Sequence, residues 1–289
     1  MPELPEVETT VRGLRLVLDG RRLARVALNR DGLRRPFPDG LVQRLVGATV
    51  TGLTRRAKFG LIGTDRGDTL IFHLGMSGRM RLDPAAPDKH DHVVFETDNG
   101  HVVAFNDARR FGSLDLVPTA QLADAAALAG LGPEPLGPEP LGPEPLGPKP
   151  LNPAPIGLLA AHLAAVFAGR AAPVKALLLD QRVIAGLGNI YVCEALNCAR
   201  IHPARAGGTV SAPRLAALAA AIPAVLEDAI RAGGSSLRDF LAVDGTLGYF
   251  QNSFRVYGRT GAPCPRDGRP IKRIVQSGRS SFFCSWCQR

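Results

Sequence analysis

The sequence predicts an α+β protein: one amphipathic helix, a β-rich first part, a helical second part and a short cysteine-bearing hairpin at the end. Three observations carry that prediction. Val7, Val11, Leu14 and Leu18 recur at helical spacing directly after the chain start. Short apolar runs bounded by turn residues fill the stretch from Arg22 to about Pro118, and beyond Pro155 the apolar spacing turns helical again. A chain of 289 residues suggests two domains, each able to bury a core.

Charge narrows the partner. A formal +9 and a pI near 9.9 point to a polyanion, nucleic acid ahead of a membrane surface. The acidic start has no apolar run, so it does not read as a secretion signal. The apolar stretches 156–169 and 215–226 are Ala-rich and interrupted by His162 or Pro223, and they read as core helices. The expectation is a cytoplasmic monomer with no membrane association. Five cysteines, three of them crowded near the C-terminus, suit a metal site better than a disulfide framework.

Taken in order, the chain opens with Met1-Pro2-Glu3-Leu4-Pro5-Glu6. Removal of the initiator Met is expected, leaving Pro2 as a free secondary amine. A terminal amine titrates near ~8 against ~10.4 for a lysine, so near neutral pH much more of it is the uncharged nucleophile. Attack on a sugar aldehyde would give an iminium, a strong electron sink, and Glu3 beside it suits proton transfer. Pro5 can open the following helix, Glu6 and Glu8 complement its positive end, and Asp19-Gly20 can stop it.

The runs 69–74, 93–95 and 102–105 read as strands, with Asn99-Gly100 as a hairpin turn. Many short strands in about 100 residues suggest a two-layer sandwich or flattened barrel. Residues 131–150 are a tandem pentapeptide, LGPEP three times and then LGPKP, whose prolines forbid helix and sheet. It reads as an expanded linker. Helical spacing returns in 156–167, 174–179, 189–196 and 214–230. The turn Ala185-Gly186-Leu187-Gly188 leads into Asn189 at a helix start, where free N–H groups suit a phosphate. In the tail, Cys284 and Cys287 have knuckle spacing, and Cys264 has Asp267, not cysteine, as its partner three residues on. Carboxylate is an accepted zinc ligand, so a Cys3Asp site is chemically sound. Between the pairs, 271–274 and 280–283 read as a hairpin carrying Lys272, Arg273 and Arg279, cations suited to a nucleic-acid backbone.

These segments together resemble the formamidopyrimidine-DNA glycosylase family, bacterial enzymes that excise oxidised purines such as 8-oxoguanine. The motifs are MPELPEVET at the start, RRAKF at 55–59, HLGMSG at 73–78, KHDHV at 89–93 and DARRFG at 107–112. One LGPEPL unit, GLGNIY at 186–191, GGSSLRDF at 233–240, VYGR at 256–259 and GRSSFFCSWCQ at 278–288 continue them in order. The resemblance implies an N-terminal β-sandwich domain over 1–130, a Pro-rich linker over 131–155, a helix–two-turn–helix domain over 156–250 and a zinc finger over 251–289. The partner it implies is double-stranded DNA carrying oxidised purines or abasic sites, and the cofactor is one structural zinc held by Cys264, Asp267, Cys284 and Cys287.

It also implies roles. Pro2 matches the nucleophile at C1′, Glu3 its acid/base partner, Glu6 a supporting carboxylate, and Lys58 the lysine near the lesion. Met76, Arg109 and Phe111 match the residues that fill the gap left by an extruded nucleotide, which unstacking requires. Asn189, Arg279 and His90 match phosphate contacts. Arg238 stands where relatives often carry a lysine over the flipped base, keeping the charge but not the shape. Asp267 replaces a finger cysteine, and the extra LGPEP copies depart from the pattern. Two rival readings are an endonuclease VIII-like glycosylase for pyrimidine lesions and a non-catalytic zinc-finger protein that binds damaged DNA.

Overall fold

The computed structural model describes residues 1–136, 156–236 and 241–289. Most of the LGPEP repeat, and Arg238, lie outside the described residues. The chain divides into two compact units. The first holds Met1–Ala129 and also Ile230–Tyr249; the second holds Gly130–Pro138, Lys149–Ala229 and Phe250–Arg289. The described residues of 230–249 thus cluster with the N-terminal unit.

Helix α1, Leu4–Leu18, starts the first unit with Pro5 in its first turn and Glu3 as its N-cap. Val7, Val11, Leu14 and Leu18 are buried, as their spacing predicts. Strand β1 (Leu23–Leu28) and the five-residue helix α2 (Leu41–Leu45) follow, and α2 carries no periodic signal in the sequence. Strands β2 (Val50–Arg56), β3 (Phe59–Thr64), β4 (Asp68–His73), β5 (Arg79–Leu82), β6 (Asp91–Thr97), β7 (Val102–Asn106) and β8 (Ser113–Pro118) complete two four-stranded sheets. Their orders are β1-β6-β7-β5 and β2-β3-β4-β8, every pairing antiparallel. The β6–β7 turn is the Asn99-Gly100 hairpin, with Gly100 at φ +89°. The inner faces join α1 in one core that includes Leu70, Phe72, Phe95 and Phe105. Val243 belongs to the same core, and its backbone carbonyl accepts from Leu82 N–H at 2.8 Å.

The second unit contains α3 (Ile156–Phe167), α4 (Val174–Leu179), α5 (Asn189–Cys198) and most of α6 (Ala212–Arg231), which runs through Pro223. Its tail forms the hairpin β9 (Lys272–Gln276) and β10 (Arg279–Phe283), turning at Ser277-Gly278. Buried Glu194 of α5 accepts the N–H groups of Arg255, Val256 and Tyr257 at 2.8–3.0 Å, fastening the approach to the tail. Among the described residues, no helix is long and apolar enough to cross a membrane.

Gly60 shows how tightly the sandwich is packed. It lies opposite Phe72 in register, and a Cβ there would fall 2.0 Å from the ring's Cζ. Phe72 is fully buried. Gly60→Ala is expected to cost about 1–3 kcal/mol, or more where the ring cannot shift. Denaturant unfolding checks this, with the midpoint expected to fall.

Candidate active site

The chain start is held inside the first unit. Pro2 is buried and Glu3 is only 2% exposed. Glu3 and Glu6 form a reciprocal capping box, in which Glu3 N–H donates to Glu6 Oε2 at 2.8 Å. The other oxygen of Glu6 accepts from Ser235 N–H at 2.8 Å and from Ser235 Oγ at 3.0 Å. One carboxylate thus ties the first helical turn to the returning stretch 230–249. On the far side of the undescribed residues, Val243 lies so close to Gly13 of α1 that a Cβ on Gly13 would meet Cγ2 at 2.3 Å.

Lys58 follows Ala57 in the two-residue turn between β2 and β3, where Ala57 has left-handed backbone at φ +54°. Lys58 is 7% exposed. His73, which sits inside HLGMSG without being one of the residues that motif singles out, stands opposite Phe59 in register. It packs tilted against the Phe59 ring, centroids 4.9 Å apart. Its Nδ1 accepts from Gly75 N–H at 3.0 Å, which leaves the ring proton on Nε2. Burial, and then the charges of Lys58 and Arg34, lower its pKa from 6.5 to about 4. The ring is therefore neutral near pH 7.

Met76, Arg109 and Phe111 come together on two loops of the first unit. Met76 and Phe111 are exposed, unusual for large apolar side chains, and the Arg109 guanidinium lies 5.1 Å from the Phe111 ring centroid. A buried carboxylate to which the resemblance assigns no role holds both loops. Asp107 Oδ1 accepts from Ser77 Oγ at 2.6 Å and from Arg109 N–H at 3.3 Å, and its Oδ2 accepts from Gly112 N–H at 2.8 Å. Asp107 N–H donates to the carbonyl of His90 at 3.0 Å, so the KHDHV segment is fastened to the same residue. Gly75, at φ +63°, lets the loops touch: a Cβ there would sit 2.4 Å from the Phe111 carbonyl carbon. Asp107, Ser77 and Gly75 all lie within motifs read from the sequence, but only their long-range contacts reveal their work.

In the second unit, Asn189 begins α5, in line with the turn that precedes it in the sequence. Its Nδ2 donates to the Ser280 carbonyl at 3.0 Å and reaches the Tyr257 hydroxyl at 3.4 Å. The helix start is thereby joined to the residue after Arg279, which is exposed at the head of β10. Buried Lys175 of α4 donates to the same Ser280 carbonyl at 2.9 Å and to Ser281 Oγ at 2.6 Å. Lys175, Asn189 and the head of β10 are thus gathered on one short segment.

The four expected metal ligands converge, their donor atoms all within 4.8 Å of one another. Around a tetrahedral zinc, two thiolates lie about 3.8 Å apart and a thiolate and carboxylate oxygen about 3.5 Å apart. The Cys264 and Cys287 sulfurs are 3.9 Å apart, and Asp267 Oδ2 lies 3.4 Å from Cys284 Sγ and 3.3 Å from Cys287 Sγ. The donor set fits zinc. Arg269 N–H donates to Asp267 Oδ1 at 3.1 Å and Cys287 N–H to Cys284 Sγ at 3.5 Å, orienting a ligand in each knuckle.

Comparison with known proteins bears on all three regions. Residues 1–114 match the formamidopyrimidine-DNA glycosylase N-terminal domain, 141–241 its H2TH domain, and 261–289 a zinc finger found in FPG and IleRS. A formamidopyrimidine-DNA glycosylase of Novosphingobium aromaticivorans is 60% identical over 289 residues, covering all of both chains. The crystal structure of the MutM (FPG) protein of Thermus thermophilus superposes with a TM-score of 0.84 at 37% identity, covering 99% of this chain and 98% of that one. A mutant FPG of Lactococcus lactis, solved in complex with Fapy-dG containing DNA, gives 0.85 at 32% identity and covers both chains fully.

Two outcomes are expected here. As pH falls from about 6.5 towards 4, the unfolded chain binds a proton at His73 that the folded chain refuses. Stability present above pH 6.5 is then lost, by about 3 kcal/mol in total. In His73→Gln this part of the acid slope should vanish, as measured by urea unfolding across that range. At the finger, Asp267→Ala should release zinc to a colorimetric chelator faster than the parent, and Asp267→Cys more slowly.

Proposed function

The chain belongs to the formamidopyrimidine-DNA glycosylase family, and from that premise we propose how its own residues divide the work of base-excision repair. The protein is a DNA glycosylase whose partner is lesion-bearing duplex DNA. Neither rival drawn from the sequence is favoured by its relatives. The observation that carries the assignment of roles is the chain start itself: Pro2 is buried beside Glu3, the N-cap of a helix whose Glu6 closes the capping box and is anchored at Ser235.

In this reading Met1 is removed and the Pro2 nitrogen attacks C1′ of the damaged nucleotide. The glycosidic bond breaks and the oxidised purine leaves. Glu3 protonates the sugar ring oxygen, the ring opens, and a Schiff-base iminium joins Pro2 to C1′. Loss of a C2′ proton then expels the 3′ phosphate, and a second elimination expels the 5′ phosphate, so that lyase follows glycosylase. The iminium nitrogen accepts the electron pair in each elimination. Lys58, beside the neutral His73, holds a phosphate and raises the positive potential near the sugar. Keeping His73 neutral adds no further positive charge beside Lys58 and Arg34.

Met76, Arg109 and Phe111 occupy the space the lesion vacates. Arg109 offers donors to the orphaned cytosine and Phe111 wedges the step, at a cost of a few kcal/mol for unstacking. Asn189 and Arg279 clamp the backbone from the second unit, and His90 adds a contact from the first. Arg238 covers the extruded base. Cys264, Asp267, Cys284 and Cys287 hold the structural zinc, and through it they fix the finger that presents Arg279; their part lies outside the bond-breaking steps. We place the enzyme in the cytoplasm with the nucleoid.

Borohydride trapping on a duplex with one 8-oxoguanine opposite cytosine tests the central role. A covalent adduct is expected from the native start and none from a protein with extra residues ahead of Pro2. Equal trapping by the blocked protein would overturn the Pro2 mechanism.

A further inference from the structure

Arg55 and Glu8 form an ion pair whose side chains are 2% and 0% exposed, across 47 residues of chain. Arg55 Nε donates to Glu8 Oε2 at 3.0 Å. A buried pair of this kind is weak ground for stability, because desolvating both charges offsets most of their attraction. Its geometry supplies another purpose. A second nitrogen of the same guanidinium, Nη1, donates to the Ala57 carbonyl at 2.9 Å. Ala57 is the left-handed residue of the β2–β3 turn, and the residue after that carbonyl is Lys58.

Glu8 is held in turn by Arg12, whose Nε donates to Oε1 at 2.7 Å. Burial works against its charge, but Arg55 and Arg12 outweigh burial and keep the carboxyl below the usual carboxylate range. Glu8 also sits on α1, the helix whose first turn carries Pro2 and Glu3 at its edge. One helix therefore touches two parts of the chemistry: its start directly, and the Lys58 turn through a charged fork.

We infer that the Glu8–Arg55 pair is a positioning device for Lys58, fixing the Ala57 peptide and hence the direction in which Lys58 leaves its turn relative to Pro2. Arginine is required because its planar fork reaches a carboxylate and a carbonyl at once. A lysine keeps the charge but presents a single ammonium with no fixed plane. The inference rests on the reading of Lys58 as a group acting at the lesion. Arg55 and Glu8 touch neither base nor sugar in this account; they act through Lys58.

The test is a double-mutant cycle of Arg55→Lys and Lys58→Ala. It is read by single-turnover excision of 8-oxoguanine, by Kd for a duplex carrying the uncleavable tetrahydrofuran site, and by Tm. Displacing a reacting group by about 1 Å costs up to ~100-fold, so R55K should slow excision on the order of 10–100-fold. Its Kd should stay within about threefold, and on K58A the same change should slow excision less than about twofold. Equal slowing in both backgrounds, or none where Lys58 is present, would overturn the inference. K58A excising at the parental rate would instead overturn the reading of Lys58, so the two failures are distinct. Should R55K not fold, the uncharged pair E8Q/R55Q enters the same cycle with the same outcomes.

Discussion

Helix α1 is held by directional bonds from its own side chains, largely from carboxylates. Glu6 closes the capping box and reaches Ser235; Glu8 binds Arg12 and Arg55; Arg15 Nε donates to the Leu53 carbonyl at 2.7 Å. The apolar face of α1 supplies burial, but burial alone lets a helix slide or rotate. Directional bonds at successive turns remove that freedom. Everything expected of Pro2 and Glu3 depends on this.

Buried carboxylates recur as fasteners, each solving desolvation differently. Glu8 is charge-paired on both oxygens. Asp107 is satisfied by a hydroxyl and backbone N–H groups. Glu194 collects three consecutive N–H groups from residues 255–257. Each joins segments remote in sequence, and losing one partner would leave an unpaired buried group, costlier than the bond's own net worth.

Much of this is legible in the sequence. The α1 face, the Asn99-Gly100 hairpin, helices 156–167 and 174–179 and the tail hairpin all follow from local periodicity and turn chemistry. Those signals act within a few residues, and no tertiary contact overrides them. The convergence of Asp267 with the three cysteines is legible because a cysteine knuckle has fixed spacing. Less local features are not legible. The pairing of Glu8 with Arg55 spans 47 residues and that of Ser77 with Asp107 spans 30, and no spacing rule links them. The return of residues 230–249 to the first unit is hidden too, because helix α6 carries a continuous pattern across the boundary. His73 reads as one polar residue ending a strand until Lys58, Arg34 and Phe59 are placed around it.

The Asp107 fastening has a consequence for how undamaged DNA is searched. Loops that had to order themselves at each base step would lose conformational entropy every time they probed the stack, and the search would slow in proportion. Here Arg109 already lies over Phe111, and Asp107 bonds their loop to Ser77, next to Met76. In the reading proposed above, the three residues enter the stack already arranged, so probing a base pair costs mainly the deformation of the DNA. The energy of that deformation differs between an intact and a damaged pair, and a pre-arranged probe then reports on the DNA's own compliance.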